Sequence, residues 1–213
     1  MDSFNIPAQD KIFTGEIVEK KSRFIGELSY AETAEQVAER LMEVRKRHYD
    51  ARHHCSAYIL KAEGTAPDIC HSSDDGEPQG TAGKPILEVI KGAGLKNALI
   101  IVTRYFGGTL LGTGGLSRAY TSAAKEALAR ASIRTVRLCQ QMEFTFDYQK
   151  EGAVRRLLSD RGYNKWKSEY TDRVCFKLPL PLNELESLKN VLVNKMEGQI
   201  EMREVGKAEY LTI

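Results

Sequence analysis

Apolar and polar positions along the chain follow two rhythms, one of about 3.6 residues and one of two, and their alternation marks out the elements. Residues 11–30 hold two short apolar-rich segments around Glu19-Lys20-Lys21-Ser22, the pattern of a β-hairpin with a basic turn. Thr33 with Gln36 three residues on fits a capping box. Ala34, Val37, Ala38, Leu41 and Val44 then recur at helical spacing to about His48. Arg45, Lys46 and Arg47 fall in the last turn, where cations suit the helix dipole, and are expected to form a solvated helix end. His53 to Leu60 reads as a strand. From Lys61 to about Gly83 neither rhythm holds, which predicts a long loop of the kind that is usually functional or disordered. Ile86, Leu87, Val89 and Ile90 predict a short helix stopped by Gly92 and Gly94. Leu99-Ile100-Ile101-Val102 is continuously apolar and rich in β-branched residues, as in a strand buried on both faces. A helix is expected from about Leu116 to Ala131, with Ala119, Ala123, Ala127 and Leu128 among its small or apolar positions.

The pattern tightens near Thr135. Phe144, Phe146 and Tyr148 alternate with polar residues, as in a half-buried strand. Val154, Leu157 and Leu158 mark a helix, with Gly162 suited to its stop. Trp166 to Tyr170 and Val174 to Leu178 suggest two strands around a Thr171-Asp172 turn. Leu185, Leu188 and Leu192 mark a helix, and Ile200 to Val205 a last strand. This β-α-β-β-α-β order is that of a ferredoxin-like unit. The fold class expected is therefore α+β. An α/β domain over residues 1–134, with a four-stranded sheet backed by helices, precedes a ferredoxin-like domain over residues 138–213.

Charge narrows the choice of partner. The 213 residues carry a net charge of only +2. Residues 1–136 hold 18 Lys and Arg against 17 Asp and Glu, and residues 137–213 hold 13 against 12. Any nucleic-acid contact must come from a local patch. No apolar run approaches the ~20 residues of a membrane span, and the first residues lack the layout of a signal peptide. The four cysteines, Cys55, Cys70, Cys139 and Cys175, form no CxxC pair, so neither a disulfide framework nor a zinc finger is expected. These features predict a reduced, cytoplasmic protein, with no membrane contact.

Several constellations offer chemistry. Arg104, Tyr105 and Phe106 end the buried strand and lead into five glycines, Gly107, Gly108, Gly112, Gly114 and Gly115. A glycine-rich turn that opens a helix leaves N–H groups pointing outward at the positive end of a dipole, a ready anion site. It serves equally well as a tight, purely structural connection. The turn matches neither GxxxxGK[ST] nor a Rossmann GxGxxG, although it can cradle phosphate as a backbone nest, with Arg104 and Arg118 adding charge. His53, His54, Cys55, Asp74, Asp75 and Glu77 are metal-ligand types, yet neighbours on a strand point to opposite faces, so His53 and His54 do not readily share an ion. The acidic trio is better read as fixing turns through backbone N–H groups. Ser72, Ser73 and Ser117 with a histidine, or Cys55 beside His54, lack any nucleophile elbow. For RNA, a cation and two aromatics at a strand end, with Arg52, His53 and His54 on a neighbouring strand, combine phosphate pairing with base stacking.

The same residues carry a resemblance. Arg52-His53-His54-Cys55, the run from Ser73 to Pro85, Arg104-Tyr105-Phe106-Gly107-Gly108 and Leu111-Gly112-Thr113-Gly114-Gly115-Leu116 together resemble the IMPACT family, in particular its bacterial YigZ/YvyE-type branch. The motifs cover most of residues 11–130, and Lys20-Lys21-Ser22-Arg23-Phe24 is similar to the branch as well. The resemblance implies a first domain of the ribosomal-protein-S5-domain-2-like fold, and a domain pair similar to the last two domains of elongation factor G. Eukaryotic members restrain the starvation-activated kinase that phosphorylates translation initiation factor 2, by competing for its activator.

Together these observations predict a non-catalytic, translation-associated binding module that contacts RNA or the ribosome through its first domain. Arg104 and Arg118 are assigned to phosphate, with Arg52, His53 and His54 beside them and Tyr105 stacking on a base. Asp74, Asp75, Glu77 and Lys84 are assigned to ordering the long loop. The alternative is a nucleotide- or phosphate-binding protein or enzyme that uses the Gly107–Gly115 loop. No cofactor and no metal are expected, a protein partner is the other candidate, and the oligomeric state is left open.

Overall fold

The computed structural model describes residues 3–62 and 66–212. The chain forms two compact units, one over residues 4–135 and one that joins Ser3 with residues 136–212. The class is mixed α and β, as the sequence pattern predicts.

In the first unit, β2 (Ile12–Glu19) and β3 (Ser22–Tyr30) form the expected hairpin. Both turn residues, Lys20 and Lys21, have positive φ (44° and 67°), the twist that a two-residue hairpin turn requires. Helix α1 (Ala34–Arg47) is capped by Thr33, whose hydroxyl accepts from the Gln36 N–H, while the Gln36 side chain accepts from the N–H of Glu32. Strand β4 (His53–Leu60) follows, then β5 (Ile69–Ser73), α2 (Gly83–Gly92), β6 (Ala98–Tyr105) and α3 (Gly112–Ala129). The sheet runs β2-β3-β6-β4-β5 with every pairing antiparallel. The central strand is β6. Its Ala98, Ile100 and Val102 pack with α2 and α3, while Leu99 and Ile101 pack with Val37 and Val44 of α1. Burial on both faces is why β6 reads as an unbroken apolar run. Before the hairpin, β1 (Ser3–Pro7) brings Asn5 beside Thr135, their side chains 3.0 Å apart.

Three expectations need correction. The stretch expected as a loop contains β5, an exposed edge strand, so the sheet has five strands where four were predicted. Helix α3 starts at Gly112, four residues before Leu116, and ends at Ala129. Only Phe106 to Leu111 is therefore a connection, and Gly112, Gly114 and Gly115 form the first helical turn.

In the second unit, β7 (Ile133–Phe146), α4 (Glu151–Asp160), β8 (Lys167–Tyr170), β9 (Val174–Pro181), α5 (Leu182–Lys195) and β10 (Ile200–Thr212) follow the β-α-β-β-α-β order. The antiparallel order β8-β9-β7-β10 is ferredoxin-like. Strand β10 runs seven residues beyond Val205, where the alternation of apolar residues stops. Gly162 ends α4 at φ +86°. Among the described residues no helix is long and apolar enough to cross a membrane.

Candidate nucleic-acid interface

The topology gathers the singled-out residues at one end of the first sheet. Strands β3 and β4 begin there, β2, β5 and β6 end there, α1 finishes there and α3 starts there. Register sets the neighbours: Arg104 lies opposite Phe24 on one side and His53 on the other, while Tyr105 lies opposite Arg23 and His54 opposite Thr103. Successive side chains alternate faces. The group read as one cluster, Arg104 with Tyr105 and His53 with His54, is thus divided between the two faces of the sheet.

On the α2/α3 face, Arg104 is buried and donates from Nη1 to Glu77 Oε1 at 2.6 Å. Tyr120 donates to the same oxygen at 2.7 Å. The guanidinium also lies over the rings of Phe24 and Phe106, at 5.3 Å and 5.5 Å. Burial pushes the Cys55 thiol up to about 12 and raises the Tyr120 hydroxyl, so both stay protonated. The Cys55 thiol donates to the Asp74 carbonyl, an arrangement for a structural group and not for a nucleophile. His53 is half-buried. Its Nδ1 bonds the Asp75 carbonyl at 2.9 Å, which fixes the proton on Nδ1, and its Nε2 stands 4.0 Å from Glu77. Arg52 is exposed, its guanidinium 6.0 Å from the Phe106 ring. Of these, Arg52, His53, Glu77, Arg104 and Phe106 line an open cleft of about 490 Å³, whose wall is completed by Pro78, Leu110, Leu111, Thr113 and Leu116.

On the α1 face, the Tyr105 hydroxyl bonds His48 Nδ1 at 3.0 Å and Asp50 at 3.2 Å. Burial first, and Asp50 second, push its acidity down. His54 is buried against Thr103, and desolvation lowers its pKa. The solvated helix end expected at the close of α1 is corrected by two ion pairs. Arg47 grips the buried Glu27 through both carboxylate oxygens, at 2.9 and 2.7 Å, and Arg45 bonds Asp75 at 2.8 Å. Lys46 alone of the three remains exposed without a partner among the described residues.

The acidic loop residues each have a separate task. Asp74 accepts from the N–H groups of Gly80, Ala82 and Gly83 at 2.8, 3.0 and 2.8 Å. It caps α2 from eight residues upstream, because Ala82 at the cap position offers no side-chain oxygen. Burial works against its charge, but these three donors outweigh it and hold the carboxyl below its ordinary range. Asp75 joins Arg45 to the His54 N–H. Lys84 is exposed at the start of α2 and does not line the cleft.

The glycines differ in kind. A Cβ at Gly107 would come within 2.0 Å of the Lys21 backbone, and its N–H donates to Ser22 Oγ. The β6–α3 connection can approach the β2–β3 hairpin only because Gly107 has no side chain. Gly108 and Gly112 have positive φ. A Cβ at Gly114 would stand 3.5 Å from Arg118 Nη1, so that exposed arginine lies over the start of α3.

The fold adds residues that the sequence reading did not join to this group. Gly107 ties Lys20 and Lys21 to the same end, and Tyr49, 85% exposed, comes directly after the C-cap of α1. The basic hairpin turn was visible in the sequence, but its proximity depends on β3 pairing with β6, which no local pattern reveals.

Comparison with known proteins completes the description. Residues 20–128 match the Impact N-terminal domain, and residues 144–199 match a domain of unknown function, DUF1949. The chain is 36% identical over 196 residues to the IMPACT family member YvyE of Bacillus subtilis, covering 92% of this chain and 88% of that protein. It is 35% identical over 204 residues to the IMPACT family member YigZ of Escherichia coli, covering 95% and 98%. A crystal structure of a hypothetical protein superposes with a TM-score of 0.62 at 32% identity, over 97% of this chain and 98% of the other. The chain belongs to the IMPACT family.

Proposed function

We propose that this protein is a cytoplasmic, non-catalytic, translation-associated module that contacts RNA or the ribosome through the end of the sheet described above. One observation carries the reading: cations without ion-pair partners among the described residues, Lys20, Lys21, Lys46, Arg52 and Arg118, stand at one end of a nearly neutral chain with the exposed rings of Tyr49 and Phe106. Cations that have no carboxylate partner are available to phosphate, and exposed rings beside them are available to bases. The link to translation comes from the family, whose eukaryotic members act there. On the exposed surface, phosphate contact passes to Arg52, because Arg104 is buried and held by Glu77 through Nη1. Arg118 keeps its assignment. Tyr105 is replaced as the stacking ring by Phe106, because its hydroxyl is engaged by His48 and Asp50. The reading needs neither cofactor nor metal.

The test is co-sedimentation with ribosomes and direct RNA binding, for the native chain and for Lys21→Ala combined with Arg52→Ala and Arg118→Ala. All three side chains are exposed, so the variant is expected to fold normally and to bind at least about tenfold more weakly at low salt. Equal binding by a folded variant removes this face from the account. Binding by neither protein removes the RNA reading and leaves a protein partner.

A further inference from the structure

The cleft at the start of α3 has features that a general basic surface does not need. The first turn, Gly112-Thr113-Gly114-Gly115, has no acidic residue, and no side chain caps it. Its free N–H groups and the positive end of an 18-residue helix dipole meet the cleft, which Gly112 and Thr113 line. Independently, Arg104 lines the same cleft with its side chain 7% exposed, and its Nε is buried with no hydrogen-bond partner. A buried N–H without an acceptor carries a desolvation cost that a bound anion removes. The Glu77 carboxylate in the wall is matched by Arg104, so Arg52 and the helix end set the local sign. Apart from His53, the rest of the lining is apolar, with Phe106 42% and Leu110 82% exposed. At about 490 Å³ the cleft is far larger than a lone phosphate needs and lies within the range of small-ligand sites.

From this geometry we infer that the cleft binds a nucleoside phosphomonoester, with its phosphate at the amino end of α3 beside Arg104 and its base against Phe106 and Leu110. A free mononucleotide and the phosphorylated end of an RNA present the same chemistry. The inference rests on the RNA reading only where the source is an RNA end. The orientation follows from the two ends of the site: charge and N–H donors at one, ring and aliphatic surface at the other.

The experiment is calorimetric titration of the full chain with inorganic phosphate, adenosine, AMP, and one RNA oligonucleotide carrying either a 5′-phosphate or a 5′-hydroxyl. The native chain is compared with Thr113→Glu and Leu110→Ser. An acidic residue in the first turn of a helix stabilises it, yet repels an anion. Thr113→Glu is therefore expected to keep or raise Tm while weakening AMP binding at least about tenfold. Leu110→Ser should weaken AMP and leave inorganic phosphate unchanged. AMP should bind more tightly than either adenosine or phosphate. Preference for the 5′-phosphorylated RNA at equal base sequence identifies an RNA end as the source, and AMP binding without RNA binding identifies a free nucleotide. The second result sustains the cleft while ending the RNA reading. Equal binding of both oligonucleotides, unaffected by Thr113→Glu and with no AMP binding at millimolar concentration, overturns the cleft and leaves the RNA reading standing.

Discussion

Arg104 and Glu77 form a buried pair whose members cannot be removed singly without cost. Glu77 is 3% exposed at its side chain, and after Arg104→Ala its Oε1 would keep the Tyr120 hydroxyl as a hydrogen-bond donor, with His53 Nε2 4.0 Å away. Truncating one member of a buried pair costs about 3–5 kcal/mol. Arg104→Ala is expected to lose about that much in chemical denaturation, and the loss should be smaller when Glu77→Leu is added. Asp74 gives a prediction in pH. Its carboxyl is held below the ordinary value of 3.8, so the unfolded chain takes up the proton first as pH falls. Its contribution is full above that value and disappears as pH drops through the depressed one. Asp74→Asn should therefore cost about 1–3 kcal/mol at neutral pH, because three N–H groups lose a charged acceptor. The difference from the native chain should shrink steadily below about pH 4. At this scale the sequence carries part of the answer. Side-chain alternation alone separates Arg104 from Tyr105. That Tyr105 would meet His48, and Arg47 the buried Glu27, depends on α1 crossing that face, which residue spacing does not reveal.

Helix α3 can sit on its sheet because of two glycines. Gly15 and Gly26 are register partners in β2 and β3, and a Cβ at either would meet the α3 backbone, at 2.4 Å for Gly15 and 2.3 Å for Gly26. Ala123 and Ala127 face them across this close approach. Gly26→Ala must push the helix outward and is expected to cost about 1–3 kcal/mol, read as a lower denaturation midpoint. Gly114 is the opposite case: it is helical, exposed, and a Cβ there meets only the end of Arg118 at 3.5 Å. Gly114→Ala is expected to stabilise by about 0.5–1 kcal/mol in the same assay. Most elements were legible from rhythm: β4 and α2 carry their apolar pattern plainly, and the order of the second unit follows from its alternation. Strand β5 was not legible. Cys70, His71, Ser72 and Ser73 bury little, and pairing with β4 alone makes them a strand. The early start of α3 was hidden because three glycines in four residues read as a turn, although backbone hydrogen bonding carries the helix through them.

Across the whole molecule, charge is nearly balanced, and its placement is what matters. The net charge of +2 argues against a generally adhesive protein. The fold nonetheless brings lysines from a hairpin turn, Arg52 from just before β4, Arg118 from α3, and two exposed rings to one end of a sheet. That convergence is a property of topology, because β6 in the centre carries the connection that meets both the hairpin and the helix. The central claim is that this end meets phosphate through unpaired cations. The measurement that tests it most directly is RNA affinity across a series of salt concentrations, for the native chain and the variant combining Lys21→Ala, Arg52→Ala and Arg118→Ala. Each lost contact with single-stranded RNA should flatten the plot of log affinity against log salt by roughly 0.7, so the variant's slope should be shallower by roughly 2. A folded variant that keeps both the affinity and the slope of the native chain would contradict the claim.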